Sequence, residues 1–166
     1  MKEEDYNKLV GKMVDPVRSR IHPKIFAKML QKIDYNGLSK ADQQSFNRIK
    51  AMGVLVEFGF TSQLAISHPG KADLIITHKN GEEFDVRSRT RPGFWKQHLG
   101  HEVFICCRGN DDKTWYLYPH DEVYREARKS SNFAETAAWT DGGSYHFPPP
   151  ISSWVIEMLK PYKLAL

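Results

Sequence analysis

The sequence predicts an α/β protein, an α+β arrangement in which a mixed sheet is flanked by helices. The predicted elements follow the order helix, three strands, a short crossover, two strands and a helix, and this order favours a mixed sheet with helices packed on it. The chain has 166 residues, of which 40% are hydrophobic and 12% aromatic. That length and composition predict a folded domain with a sizeable core.

The first part of the chain is predicted to be helical. A helical leader is expected over residues 1–37, because residues 25–33 carry apolar side chains at helical spacing. A second helix opens at Leu38 and Ser39, with Ser39 as its N-cap, and Gly59 ends it. Its apolar face is predicted to consist of Phe46, Ile49, Met52, Val54, Leu55 and Phe58.

Strands and a further helix follow. The β-rich runs cover residues 60–67, 72–78, 82–89, 103–108 and 114–118. A short helical or loop segment follows Pro92-Gly93, a helix is predicted over residues 121–129, and a terminal helix or docking segment over residues 151–159. We therefore predict one domain over residues 1–166, with a core at 38–128 and a C-terminal extension at 129–166.

The most informative segment is the hairpin over residues 72–91. A two-residue turn at Asn80-Gly81 would mix apolar and charged side chains on both faces. A three-residue loop with Gly81 in the left-handed conformation instead sets Leu74 opposite Val86 and Ile76 opposite Phe84. One face then becomes wholly apolar, and a buried apolar face fixes strand register. We therefore predict the three-residue loop.

This register places charged residues together on the other face of the hairpin. Asp73 lies opposite Arg87, and Asp85 is one diagonal step away, at roughly 7–8 Å between backbones. Two aspartates at that separation can converge on one divalent cation. The alternative is a solvated face, in which an Asp73–Arg87 pair contributes only about 0.2–1 kcal/mol.

Charge and cysteine content restrict the class of protein. The formal net charge of +4 fits a polyanionic partner, and Arg87, Arg89, Arg91 and Lys96 cluster beside the hairpin. Cys106 and Cys107 are adjacent, so they are expected to be reduced thiols in a cytoplasmic protein. The chain has no run of about 18 apolar residues and no signal peptide is expected, so no membrane partner is predicted.

Several aromatic and histidine residues leave alternatives open. Trp95 is expected either to stack on a base or to cap the core. His98 and His101 lack the accompanying cysteines or H-E-x-x-H pattern of a zinc site, so we expect polar surface or phosphate-contacting histidines. The aromatic C-terminal region is expected to serve packing or the contact of a homo-oligomer.

The stretch from Ser39 to Val123 resembles the PD-(D/E)XK nuclease superfamily. The resemblance is carried by a helix ending in glycine, a strand, the segment G-K-A-D-L-I-I, a short turn and F-D-V-R-S-R. It implies a restriction endonuclease-like αβββαβ core in which Asp73 and Asp85 bind Mg²⁺ or Mn²⁺. Arg87 occupies the position of the family's lysine, and Lys71 is a candidate for a relocated lysine. Gln43 and Gln44 stand where many relatives carry a helical glutamate.

Two functions follow from the resemblance and the charge. The first is a Mg²⁺-dependent DNA endonuclease of the restriction, homing, repair or junction-resolving type. In this hydrolase Asp73, Asp85 and Arg87 or Lys71 are catalytic, and the DNA-binding residues are Arg89, Arg91, Trp95, Lys96 and His98. The alternative is a non-catalytic DNA- or RNA-binding module on the same fold, with a decayed active site.

Overall fold

A computed structural model describes residues 33–65, 72–111 and 113–164. The chain divides into two units, Met1–Gly37 and Leu38–Leu166. Most of the predicted leader, the last two residues of the predicted strand at 60–67 and Lys71 lie outside the described residues.

The centre of the second unit is a six-stranded mixed sheet, which confirms the predicted α/β class. Its strands are β1 (Phe60–Leu64), β2 (Leu74–His78), β3 (Glu83–Arg89), β5 (Phe104–Arg108), β6 (Trp115–Pro119) and β8 (Lys163–Leu164). They lie in the order β1-β2-β3-β5-β6-β8, and neighbours are antiparallel except for the parallel pair β3 and β5. A separate two-stranded sheet, which the sequence did not predict, pairs β4 (Gly93–Trp95) with β7 (Ser144–His146).

Four α-helices occur in the described part of the chain. They are α1 (Lys40–Glu57), α2 (His120–Ser130), α3 (Ala137–Thr140) and α4 (Ser153–Leu159). Ser39 caps α1 as predicted, because its side chain accepts a hydrogen bond from the backbone N of Asp42 at 3.2 Å. Short 3₁₀ turns cover Tyr35–Gly37, Lys96–His98, Phe133–Glu135 and Lys160–Tyr162. No helix among the described residues is long and apolar enough to cross a membrane.

The buried face of α1 differs from the prediction at Ile49, whose exposed fraction is 69%. The buried residues are Asn47, Ala51, Val54 and Leu55, which follow helical spacing and so form one stripe. Ile49 is two residues from Ala51 and therefore points away from that stripe. Including Ile49 in the predicted apolar face was therefore wrong.

The sheet separates two hydrophobic clusters. The cluster on the α1 side includes Leu55, Leu74 and Val86, and the other includes Phe94 and Tyr118. Cys106 and Cys107 are both free and buried, and they belong to different clusters because strand neighbours point to opposite faces. Burial raises the pKa of the Cys106 thiol to about 12, so this thiol stays protonated at neutral pH.

The C-terminal region completes the second cluster. Phe133, Trp139, Phe147, Val155 and Leu159 are all buried in it. The Phe133 ring centroid lies 5.0 Å from that of Phe94, which precedes the extension in the chain. The predicted packing role of the aromatic residues is therefore confirmed, whereas the homo-oligomer stays a prediction.

Candidate functional site: a basic cleft at the end of the hairpin

The hairpin has the predicted register. Leu74 pairs with Val86 and Ile76 with Phe84. The backbone N of His78 donates to the carbonyl of Glu82 at 2.9 Å, which leaves a three-residue loop. Gly81 in that loop has φ +90°, the left-handed region that glycine adopts without strain. Strand alternation in this register puts Asp73, Asp85 and Arg87 on one face.

Asp73 lies directly before β2, and its carboxylate is surrounded by donors. Its Oδ1 accepts a hydrogen bond from Arg87 Nη1 at 3.1 Å. Its Oδ2 accepts from Arg89 Nη1 at 2.7 Å and from the backbone N of Ser88 at 3.0 Å. Two cations and one amide therefore engage both oxygens of this largely buried side chain.

Arg89 is held at three points. Its Nη1 group donates to the carbonyl oxygen of Ser88 at 2.8 Å, in addition to Asp73 Oδ2. Its guanidinium carbon lies 5.0 Å from the centroid of the Trp95 ring, within range of a cation–π contact. Burial lowers the pKa of Arg89, an effect that the Asp73 carboxylate opposes, and the side chain remains a cation at neutral pH.

These residues line a cleft of about 630 Å³, which we call the basic cleft. Its other wall is the N-terminal half of α1, including the predicted Gln43 and Gln44. The lining residues are Lys40, Gln43, Gln44, Asn47, Arg48, Asp73, Arg87, Ser88, Arg89, Thr90, Trp95 and His146. Four of them are Lys or Arg and one is Asp. The cleft therefore has an excess of positive charge close to hydrogen-bonding side chains.

Asp85 lines other clefts. One of about 410 Å³ also contains His98 and Glu102, and one of about 850 Å³ also contains Glu83 and Asp121. The structure thus brings Asp73, Arg87, Arg89, Gln43 and Gln44 together, and it leaves Asp85 outside the basic cleft.

The family resemblance implies Mg²⁺ or Mn²⁺ at Asp73, and the contacts of the Asp73 carboxylate bear directly on that expectation. A divalent cation needs carboxylate oxygens directed at it. Both oxygens of Asp73 are directed instead at Arg87, Ser88 and Arg89. This arrangement does not fit Mg²⁺ or Mn²⁺ at Asp73.

Two predicted DNA-contacting residues are in the interior. Trp95 is 8% exposed and His98 is 2% exposed. Burial, together with the nearby Arg87 charge, lowers the pKa of His98 to about 4. His98 is therefore a neutral interior side chain rather than a surface contact for phosphate, and the burial of Trp95 favours its interpretation as a core residue.

The remaining predicted contacts lie at the surface. Arg91 is exposed, and so is Lys96. Lys96 Nζ donates to the carbonyl of Thr140 at 2.8 Å and lies 5.6 Å from the centroid of Trp139. Lys96 therefore has a structural role in addition to its charge.

Sequence reasoning missed Lys40 and Arg48 as members of the basic cleft. Lys40, Gln44 and Arg48 recur every four residues, and this spacing places them on one face of a helix. That signal was present in the sequence, although only the tertiary structure shows that the face lies opposite Asp73.

No protein-family model, no curated protein and no solved structure matches the chain. The geometry of the site is therefore the basis for its functional assignment.

Proposed function

We propose that this protein is a DNA-binding module that holds the phosphate backbone in the basic cleft. The observation that carries the proposal is the charge of that cleft, where the described lining residues include Lys40, Arg48, Arg87 and Arg89 against one carboxylate, that of Asp73. Contacts with phosphates dominate the affinity of most DNA-binding proteins, and lysine and arginine supply them. Arginine is particularly suited because its planar fork matches phosphate oxygens.

The order of elements supports placing this module on a restriction endonuclease-like fold with a decayed active site. A helix precedes three antiparallel strands, and a crossover leads to β5, which is parallel to β3. Arg87 and Asp73 sit at the positions that the resemblance assigns to the family's lysine and first aspartate. A cytoplasmic location belongs to the same proposal and is supported by the two free, buried cysteines.

The second candidate is the Mg²⁺-dependent DNA endonuclease. The observation in its favour is the hairpin register, which puts Asp73, Asp85 and Arg87 on one face of the strands. This candidate requires Asp73 to release Arg87 and Arg89 before it can hold a metal.

Binding and cleavage can be measured with one protein preparation. A fluorescein-labelled DNA duplex in EDTA reports binding by anisotropy over a range of salt concentrations, and plasmid with Mg²⁺ or Mn²⁺ reports nicking. We expect binding without nicking. The logarithm of the affinity should fall with the logarithm of the salt concentration with a slope of about −3 to −4, because four cations line the cleft.

Substitutions test whether the basic cleft is the site. Arg48→Ala and Arg89→Ala should each weaken binding and reduce the salt slope by about 1. Lys129→Ala is the control, because Lys129 is an exposed cation of α2 paired with Glu126. Equal effects of all three variants would contradict binding in the cleft. Metal-dependent nicking that Asp85→Ala abolishes would establish the endonuclease instead. Tighter binding to an RNA of matched sequence would identify RNA as the ligand.

A further inference from the structure

Arg89 is fixed in the basic cleft by several contacts. Its Nη1 group donates to Asp73 Oδ2 at 2.7 Å and to the Ser88 carbonyl at 2.8 Å, and its guanidinium carbon lies 5.0 Å from the centroid of the Trp95 ring. The Arg89 side chain is nevertheless 24% exposed, against 10% for Arg87. Arg89 is therefore the more accessible of the two arginines that contact Asp73, and it is held in place while it remains accessible.

Fixing a side chain before binding increases affinity, because less conformational freedom is lost when the ligand arrives. A guanidinium carries five N–H donors, and the hydrogen bonds of Arg89 to the described residues use Nη1. Its other nitrogen atoms can therefore donate to phosphate oxygens while Nη1 stays bound to Asp73.

We infer that Asp73 is a positioning residue that strengthens the binding of a phosphodiester by holding Arg89, without any metal. The inference rests on the proposed function and deepens it. The family resemblance implies that the Asp73 carboxylate holds a metal, whereas here the same carboxylate holds Arg89. The ligand class is the phosphodiester backbone, recognised through its non-bridging oxygens.

The effect of Asp73→Asn on the affinity for DNA distinguishes positioning from simple electrostatics, because the two predict changes in opposite directions. Asp73→Asn removes a negative charge from the cleft, so charge alone predicts tighter binding of DNA. Positioning predicts weaker binding, because the asparagine oxygen still accepts from Ser88 but holds the Arg89 cation far less strongly. A purely metal-binding role predicts no weakening in EDTA.

The test measures anisotropy of a fluorescein-labelled DNA duplex in EDTA at fixed salt. Asp73→Asn should weaken binding by about fivefold or more, the loss of one charge-assisted contact. Glu83→Gln is the matched control, since Glu83 is an exposed carboxylate on the same face of β3. It should bind as tightly as the wild type or slightly more tightly.

A second comparison does not depend on the folding of Asp73→Asn. Arg89→Lys keeps the charge but loses the planar fork that Asp73, Ser88 and Trp95 hold. Arg48→Lys makes the same change at another arginine of the cleft. We expect Arg89→Lys to weaken DNA binding more than Arg48→Lys does, by a further factor of about three or more.

A double-mutant cycle identifies the route through which Asp73 acts. If Asp73 acts through Arg89, Asp73→Asn should have little further effect in an Arg89→Ala background. The inference is overturned if Asp73→Asn folds and binds the duplex as tightly as the wild type or more tightly. It is overturned equally if Arg89→Lys loses no more affinity than Arg48→Lys. Wild-type protein that does not bind DNA at all would remove the proposed function itself.

Discussion

At the scale of single residues, the sequence predicted one contact of the candidate site and missed its neighbour. The predicted hairpin register set Asp73 opposite Arg87, and these side chains form an ion pair at 3.1 Å. It did not predict the shorter contact of 2.7 Å between Asp73 and Arg89. Arg89 ends β3, and its orientation depends on the Trp95 ring from a different strand. Such a contact is tertiary and leaves no periodic signal in the sequence.

Buried His98 makes stability depend on pH. Its pKa is about 4 in the folded protein, below the ordinary value near 6.5, mainly because burial disfavours the charged ring. As the pH falls from 6.5 towards 4, the unfolded chain takes up the proton first, so the free energy of unfolding decreases. The decrease from this group is limited to about 3 kcal/mol.

Urea unfolding at pH 7 and pH 5 checks this prediction. His98→Gln should show a smaller decrease in the free energy of unfolding between the two pH values than the wild type does. His101→Gln, at an exposed histidine, controls for the substitution itself. A decrease in His98→Gln as large as that of the wild type would assign the effect to other groups, such as His120, whose pKa burial also lowers.

At the scale of elements, the long periodic segments were predictable and the short ones were not. The helix α1 and the hairpin strands follow from apolar spacing, and strand ends differed by a few residues. The strands β4 and β7 have three residues each and β8 has two, too few for an alternating pattern to be recognised. They form because their backbones find partners in the folded chain.

Two glycine substitutions test the local structures of the hairpin and of α1. Gly81→Ala should destabilise the protein by about 1 kcal/mol, because Gly81 has φ +90° and alanine is strained there. Gly53→Ala should instead stabilise it by about 0.5–1 kcal/mol, since Gly53 lies inside α1 and its Cβ would meet no atom within 4 Å. Thermal unfolding of both variants measures the difference. Effects of the same sign would contradict one of the two backbone assignments.

At the scale of the whole molecule, the fold class was predictable because apolar side chains cover both faces of the sheet. The predicted extension at residues 129–166 shares an interior with residues of the predicted core at 38–128. Residues of the extension supply β7 and β8 and much of the second cluster. Side chains far apart in sequence complete one interior, and no local pattern reveals which distant segment will fill it.

The structural importance of the extension can be measured by comparing two aromatic residues within it. Phe133 is 2% exposed and contacts the rings of Phe94, Tyr124, Trp139 and Tyr145, whereas Trp154 is 36% exposed. Phe133→Ala should therefore lower the free energy of unfolding by about 3–5 kcal/mol, since it leaves a cavity among rings that cannot close around it.

Trp154→Ala is the matched control and should cost about 1 kcal/mol, because much of that ring is already in water. Urea unfolding followed by circular dichroism gives both values. A small effect of Phe133→Ala would mean that the extension packs loosely on residues 38–128 and contributes little to their stability. A large effect would establish that the strands of the basic cleft and the C-terminal aromatic residues unfold as one unit, because the loss would then lower the stability of the whole sheet.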